Sequence, residues 1–215
     1  MAYGAHRRAC LSVRIAILIE GETERVFIPK VREFLKVRLV QNRMPKLDPV
    51  PFEGRIPTGP KLQRVVETLL AGRDRADAVI ALTDVYTGTR EFADAQDAKT
   101  KMRQWVGNES RFHPHAAQHD FEAWLLPFWR DIQRLAGSNR TAPGVNPENV
   151  NHNNPPAHRL REVFRTGSKG KAYVKPRDAG RILRDNDLLL SATACSELKA
   201  FLNTILISCG APPLN

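Results

Sequence analysis

Ile15–Glu24 reads IAILIEGETE, a run of apolar residues driving straight into a glycine turn set with three carboxylates, Glu20, Glu22 and Glu24. Apolar, β-branched-rich sequence from Val13 to Ile19 is the pattern of a strand buried on both faces, as strands of a parallel sheet are. In open α/β sheets ligands bind beyond the carboxyl ends of the strands, so an acid closing such a strand stands where chemistry is done. The arrangement recurs at Ala78–Thr83, AVIALT, which ends at Asp84. Two strand-end carboxylates point to divalent-metal chemistry.

Working outward, Thr23 reads as a helix N-cap with Glu24 in the first turn, and Phe27, Val31, Phe34, Leu35 and Leu39 recur at helical spacing to about Val40. Pro45 to Pro60 reads as a loop with at most a short strand at Val50–Phe52. Lys61–Leu70 is helical, with Leu62, Val65, Val66 and Leu69 on one face and Gly72 as its stop. Strand, helix, strand alternation predicts a parallel sheet with crossover helices, placing Glu20 and Asp84 on neighbouring strands. After a loop at residues 86–89 come a helix at Asp94–Val106, a short strand at Phe112–Gln118, and an amphipathic helix in HDFEAWLL with Asp120 near its start. Thr193–Ile207 reads as a helix burying Leu198, Phe201, Leu202 and Ile205. The expected fold is α/β: an open, mainly parallel sheet flanked by helices, with a basic C-terminal helical extension. Residues 1–135 form the core, 136–158 an exposed Asn/Pro-rich loop, and 159–215 a basic segment and C-terminal helix packed on the core.

A chain of 215 residues can bury one good core, and 42% hydrophobic with 26% charged residues is ordinary for a soluble protein. The charge balance is less ordinary: 33 Lys and Arg against 23 Asp and Glu give +10. Residues 159–184 hold nine basic residues against Glu162 and Asp178, a net of +7. Such an excess favours an anionic partner, nucleic acid first, over a basic surface with no special role. Cys10, Cys195 and Cys209 show no metal or disulfide spacing and read as reduced packing thiols. Arg7 and Arg8 before an apolar run imitate a secretory leader, but Arg14 interrupts the run and no small-residue cleavage site follows. With no apolar stretch of membrane-spanning length, the expected location is the cytoplasm.

Glu20, Glu24, Asp84 and Glu122 are the candidate catalytic acids, with Glu20, Asp84 and Glu122 as ligands of Mg²⁺ or Mn²⁺, a hard ion that a few carboxylates plus phosphate oxygens suffice to hold. Glu22 reads as a solvated helix cap. Lys169, Lys171, Lys175 and Arg177 can grip phosphates while Tyr173 stacks a base; a solvated basic surface, or one covering an acidic partner, is the alternative. His113 and His115 would share one face of a strand and, with His119, offer a rival zinc site, although Pro114 divides them and no fourth ligand stands at a recognisable spacing. His119 is better placed as a group supporting the carboxylates or touching phosphate. GSKGK at 167–171 lacks the P-loop spacing and its Ser or Thr after the lysine, which excludes that mode of nucleotide binding.

Taken in order, the strand ending in EGETE and the strand ending in Asp84-Val85-Tyr86 resemble the Toprim arrangement of topoisomerases, bacterial primases and overcoming-lysogenization-defect nucleases. EGETE, TDVYTG, HDFEAWLL and YVKPRDAGRIL together resemble a family of Toprim-like bacterial proteins often encoded beside ATPases in defence-type gene clusters. The resemblance implies a Toprim-type sheet, Mg²⁺-dependent phosphodiester chemistry, nucleic acid as substrate and an ATPase as partner. It makes Glu20 the glutamate of the first strand end, binding metal or moving a proton, and Asp84 the first aspartate of an Asp-x-Asp metal motif. Tyr86 stands at the second aspartate position, so either Glu122 or Glu24 replaces that ligand or metal is held weakly. Against this nuclease reading stands a non-catalytic module that binds nucleic acid or an ATPase; oligomeric state stays open.

Overall fold

The computed structural model describes residues 12–40, 43–86, 91–144, 146–150 and 154–215. Its centre is a four-stranded parallel sheet of β1 (Arg14–Ile19), β2 (Lys46–Pro51), β3 (Ala78–Asp84) and β4 (Phe112–Ala117) in the order β2-β1-β3-β4. Parallel neighbours need crossovers, and these are α1 (Glu22–Lys36), α2 (Pro60–Leu70) and α3 (Ala95–Val106). The alternating side chains of β1 feed two cores. Ile15, Ile17 and Ile19 pack under α1 and the C-terminal helices, while Ala16 and Leu18 pack under α2 and α3. Because β1 is covered on both faces, its sequence is apolar throughout. The strand order reverses between β1 and β3, which opens a crevice at their carboxyl ends.

β2 is a complete six-residue strand where a proline-rich loop was expected. It lies at the sheet edge, and its prolines at positions 49 and 51 are tolerated where ladder donors are not needed on both sides. Only Leu47 of its side chains is fully buried, so no apolar run announces it. α1 begins at Glu22, with Gly21 rather than Thr23 as its N-cap: the Glu24 carboxylate turns back to accept the Gly21 N–H at 3.0 Å, and Thr23 is buried. The helix ends at Lys36 rather than near Val40, leaving Val37 and Val40 exposed.

HDFEAWLL forms a 3-10 segment, Phe121–Phe128, that passes into α4 (Trp129–Ala136), not the amphipathic α-helix its pattern suggested. Nearly every residue of the segment is buried, so it has no solvent face to mark a period. Its Trp124 sits against Phe27, Phe121 and Phe201 with ring centroids 5.6–6.1 Å apart. The C-terminal third supplies α5 (Pro156–Thr166), α6 (Lys175–Leu183), α7 (Leu188–Ala194) and α8 (Ser196–Ser208). The tail helix expected at 193–207 is α8, with Leu198, Phe201, Leu202 and Ile205 buried as read, although it starts at Ser196 and residues 193 and 194 close α7; Cys195 and Cys209 are free, buried packing thiols. Cys10 lies outside the described residues. No helix among the described residues is long and apolar enough to cross a membrane.

The segment expected as an exposed excursion is tied down in part. Residues 147–149 form a 3-10 turn in which Pro147 and Glu148 are buried. The Glu148 carboxylate accepts from Trp124 Nε1 at 3.3 Å, Ser196 Oγ at 2.8 Å and the Glu197 N–H at 3.0 Å. A carboxylate from a distant loop thus caps the N-terminus of α8, where the helix dipole favours it. Glu148→Ala leaves three buried or half-buried donors without a partner and should cost about 2–3 kcal/mol in urea denaturation, with Glu148→Gln recovering part of it. A loss below about 0.5 kcal/mol would mean that water serves those donors equally well.

Candidate functional site

Glu20 follows β1 and Asp84 closes β3, and these strands are adjacent and parallel, with Leu18 paired to Ala81. The two acids therefore meet at the switch point, as the strand reading predicts. Glu20 Oε1 accepts from the Thr83 hydroxyl and, at 3.3 Å, from the Asp84 N–H. Asp84 Oδ1 accepts from the Phe121 N–H at 2.9 Å, which pins the start of the 3-10 segment over the end of β3. That pin places Asp120 and Glu122 at the same crevice. The first turn of α1 adds Glu24 from the side.

Glu122 is fully buried and pairs with Lys175 Nζ at 3.1 Å, while the Tyr173 hydroxyl stands 3.4 Å from its other oxygen. Asp120 is buried too: Oδ2 accepts from the Ala157 N–H at 3.0 Å, the Glu122 N–H also favours the charged carboxylate, and Oδ1 makes no hydrogen bond of good geometry among the described residues. An orphaned buried carboxylate oxygen is costly and needs a physical reason.

The electrostatics show what the crowding costs. Burial, followed by repulsion from Glu24, outweighs the Thr83 hydrogen bond and raises the Glu20 carboxyl to about 7. Burial, then Glu122, raises Asp120 to about 7. Burial, then Glu20 and Asp120, holds Asp84 well above the usual carboxylate range, and burial raises Glu24. Burial opposes the charge of Lys175, yet Glu122 first and then Asp84 hold its ammonium above the ordinary lysine range. Five carboxylates, Glu20, Glu24, Asp84, Asp120 and Glu122, thus share one field with a single described ammonium in direct contact.

An all-oxygen, hard donor set in which burial and mutual repulsion raise Glu20, Glu24, Asp84 and Asp120 fits a divalent cation chemically. Geometrically the set is open: among the described residues no three His, Cys, Asp or Glu side chains stand close enough to grip one ion. Asp120 was not among the expected site residues, although an Asp-x-Glu pair just past a strand end is a signal of the same kind as Glu20. Thr83 and Asp120 join Glu20, Asp84, Glu24 and Glu122 at this crevice.

The other residues read from the sequence are placed as follows. Tyr173 is buried at 8% exposure against Phe164 and Glu122, so its ring is not available to stack a base. Lys169 donates to the Arg134 carbonyl at 2.6 Å, and Arg177 is paired with Asp178 at 2.8 Å. Lys171 is exposed, and Lys175 belongs to the carboxylate crevice. His115 is a core residue, its Nε2 2.9 Å from the Thr204 hydroxyl and its ring edge-on to Phe201, with burial pushing its pKa down to about 3. The His113–His115 face of β4 looks toward α8, away from the carboxylates. His119 is at the crevice: its φ of +69° is the one positive value outside glycine among the described residues, and its ring stacks on the partly exposed Tyr86 at 5.5 Å. Glu22 is exposed and paired with Arg25, as a solvated cap should be. The loop beyond Tyr86, at 87–90, lies outside the described residues.

A family model described as Domain of unknown function (DUF4276) matches residues 19–206, and the chain belongs to that family. The C-terminal region of the Burkholderia pseudomallei OLD protein is similar in structure, with a TM-score of 0.53 at 13% identity over 93% of this chain and 99% of that one. The C-terminal region of the Xanthomonas campestris pv. campestris OLD protein gives 0.46 at 12% identity over 93% and 97%. No curated protein matches. The first likeness shows the fold, which is a Toprim-like open parallel sheet with a helical C-terminal extension.

The raised Glu20 carboxyl makes a signed prediction. With pKa about 7 folded against 4.5 unfolded, the folded state keeps a proton the unfolded state loses, so Glu20 lowers stability as pH rises from 4.5 to 7. His115, which the folded state keeps neutral, acts oppositely below its unfolded value, so the difference between variants is the clean measure. In chelator, Glu20→Gln should gain stability relative to the parent by about 1–3 kcal/mol between pH 5 and pH 8. A difference independent of pH would show that Glu20 ionises normally.

Proposed function

For this member of the DUF4276 family we propose a Toprim-type module that acts on nucleic-acid phosphodiesters with Mg²⁺ or Mn²⁺. The observation that carries the reading is the switch-point crevice, where buried, proton-retaining carboxylates surround Lys175 and Asp120 keeps an unpartnered oxygen. Glu20, Asp84 and Glu122 would hold the metal, with Asp120 and Glu24 beside them. When bound, such an ion supplies activation of water and neutralisation of charge on the phosphodiester. The chain's own residues do the rest. Glu20 Oε1 is occupied by Thr83 and the Asp84 N–H, which leaves Oε2 as the oxygen that would either meet the metal or, with the carboxyl raised to about 7 in the metal-free protein, move a proton. Lys175 holds Glu122 in place and offers its ammonium to a phosphate oxygen.

Three observations favour a second reading, a module that binds nucleic acid or an ATPase without cutting. Tyr86 stands where an acid was expected, no three carboxylates are close enough to grip an ion among the described residues, and Lys175 already neutralises Glu122. An ATPase encoded nearby is the expected protein partner under both readings.

The experiment incubates the purified protein, alone and with that ATPase, with plasmid and oligonucleotide substrates in Mg²⁺ or Mn²⁺. Glu20→Gln should abolish cleavage and leave nucleic-acid affinity intact or slightly raised, because a charge that repels phosphate is gone while the shape is kept. Asp84→Asn should behave alike, and the double variant should be no worse than either, since groups serving one ion fail together. Binding without cleavage under every condition establishes the second reading instead.

A further inference from the structure

The nine basic residues of 159–184 are not equivalent once their partners are traced. Arg159 faces Glu162, Arg177 and Arg181 share Asp178, Lys175 pairs with Glu122, and Lys169 is bound to the Arg134 carbonyl. Arg161, Arg165, Lys171 and Arg184 remain, all exposed, with no side-chain ion pair or hydrogen bond among the described residues. Three of those four, Arg161, Arg165 and Lys171, line one concave pocket of about 410 Å³, together with Gly170, Ala172 and Tyr173. Arg161 and Arg165 stand one turn apart on α5, so their guanidiniums leave the helix on the same side. Lys171 comes to them from the loop that Gly170 turns with a φ of +51°.

Three exposed cations with no ion pair among the described residues leave their N–H donors free for an anion with several oxygens. One residue lies between the pocket and the crevice: Tyr173 lines the pocket, and its hydroxyl stands 3.4 Å from Glu122, the residue that Lys175 holds. We infer that Arg161, Arg165 and Lys171 form a phosphate-binding subsite that takes a backbone phosphate of the same nucleic-acid chain whose scissile phosphodiester lies at the carboxylate crevice. The inference rests on the nucleic-acid reading above and adds residues of α5 that the sequence did not single out. It also divides the labour. The crevice is acidic and repels a polyanion until its charge is compensated, so the affinity that brings the chain there has to come from cations outside it.

The test is fluorescence anisotropy of labelled single-stranded and duplex oligonucleotides on the full chain, titrated with salt in chelator so that cleavage plays no part. Replacing Arg161, Arg165 and Lys171 together by alanine should weaken binding about tenfold or more at 0.1 M salt and lower the slope of log affinity against log salt by about one. A charge-matched control, Arg64→Ala with Arg73→Ala and Arg75→Ala, removes three exposed cations elsewhere and should change both much less. The charge-keeping set Arg161→Lys, Arg165→Lys and Lys171→Arg should retain most of the affinity, which guards against a folding defect in the alanine set. Equal losses in the pocket and control variants would mean that net charge alone is read, and would overturn the subsite. So would unchanged oligonucleotide binding, including the case where the pocket variant loses only binding to poly-glutamate and the pocket therefore serves an acidic protein. If the unaltered chain binds no nucleic acid at all, the parent reading fails and the subsite with it.

Discussion

Five carboxylates held in one crevice, with one ammonium among the described residues in direct contact, is the constraint around which the rest of this structure is arranged. Left ionised and desolvated together they would be strongly destabilising. The protein answers in three ways. Glu20 and Asp120 keep protons near neutral pH, backbone N–H groups of Asp84, Phe121, Gly21 and Ala157 are aimed at four of the acids, and Lys175 reaches in from α6 to the fifth. Each device fixes a segment: the N–H of Phe121 docks the 3-10 segment on β3, that of Ala157 docks the start of α5, and Lys175 docks α6. The C-terminal extension is therefore anchored to the sheet at the site as well as through its apolar face.

This arrangement explains why the apolar cores and the crevice depend on one another. β1 sends Ile15, Ile17 and Ile19 to one face and Ala16 and Leu18 to the other, and a slip of one residue would exchange the faces and turn Glu20 away from Asp84. The packing of Trp124 against Phe27, Phe121 and Phe201 then holds the segment that presents Asp120 and Glu122. Glu148 extends the same chain of dependence to α8 through its bond to Trp124.

What the sequence made legible follows from how each feature is encoded. β1, β3 and the helices α1 to α3 were readable because a strand buried on both faces and a helix buried on one leave plain periods. Glu20 and Asp84 could be placed on neighbouring strands from topology alone. β2 was not readable, because an edge strand with a single fully buried side chain and two prolines has no such signature. The 3-10 segment was misread for the opposite reason, being buried on nearly all sides. In the basic segment, composition gave the net charge correctly but could not say which cations are already paired. Tyr173, read as a base-stacking residue, is buried against Glu122, and Arg177 is ion-paired with Asp178 at the surface, whereas Arg161 and Arg165, which carry no mark in sequence, have no such pair among the described residues. Pairing is a tertiary property, so it surfaces only in the fold.

Tyr86 is the residue at which the sequence most resisted a catalytic reading, and the fold gives its presence a physical sense. The Tyr86 N–H donates to the His119 carbonyl at 2.7 Å, and the Tyr86 ring lies on the His119 ring, so the end of β3 clamps the chain that leaves β4. At that clamp His119 adopts a left-handed conformation costing of order 1–3 kcal/mol, which is retained only where surrounding structure enforces it. The residue it turns into the crevice is Asp120, whose Oδ1 is the unpartnered oxygen. An aspartate at 86 would add a sixth negative charge to a group of acids that already cannot all ionise, whereas tyrosine adds none and braces the turn that delivers Asp120. Tyr86 therefore braces the turn by which the end of β4 brings Asp120 to the same crevice as Asp84.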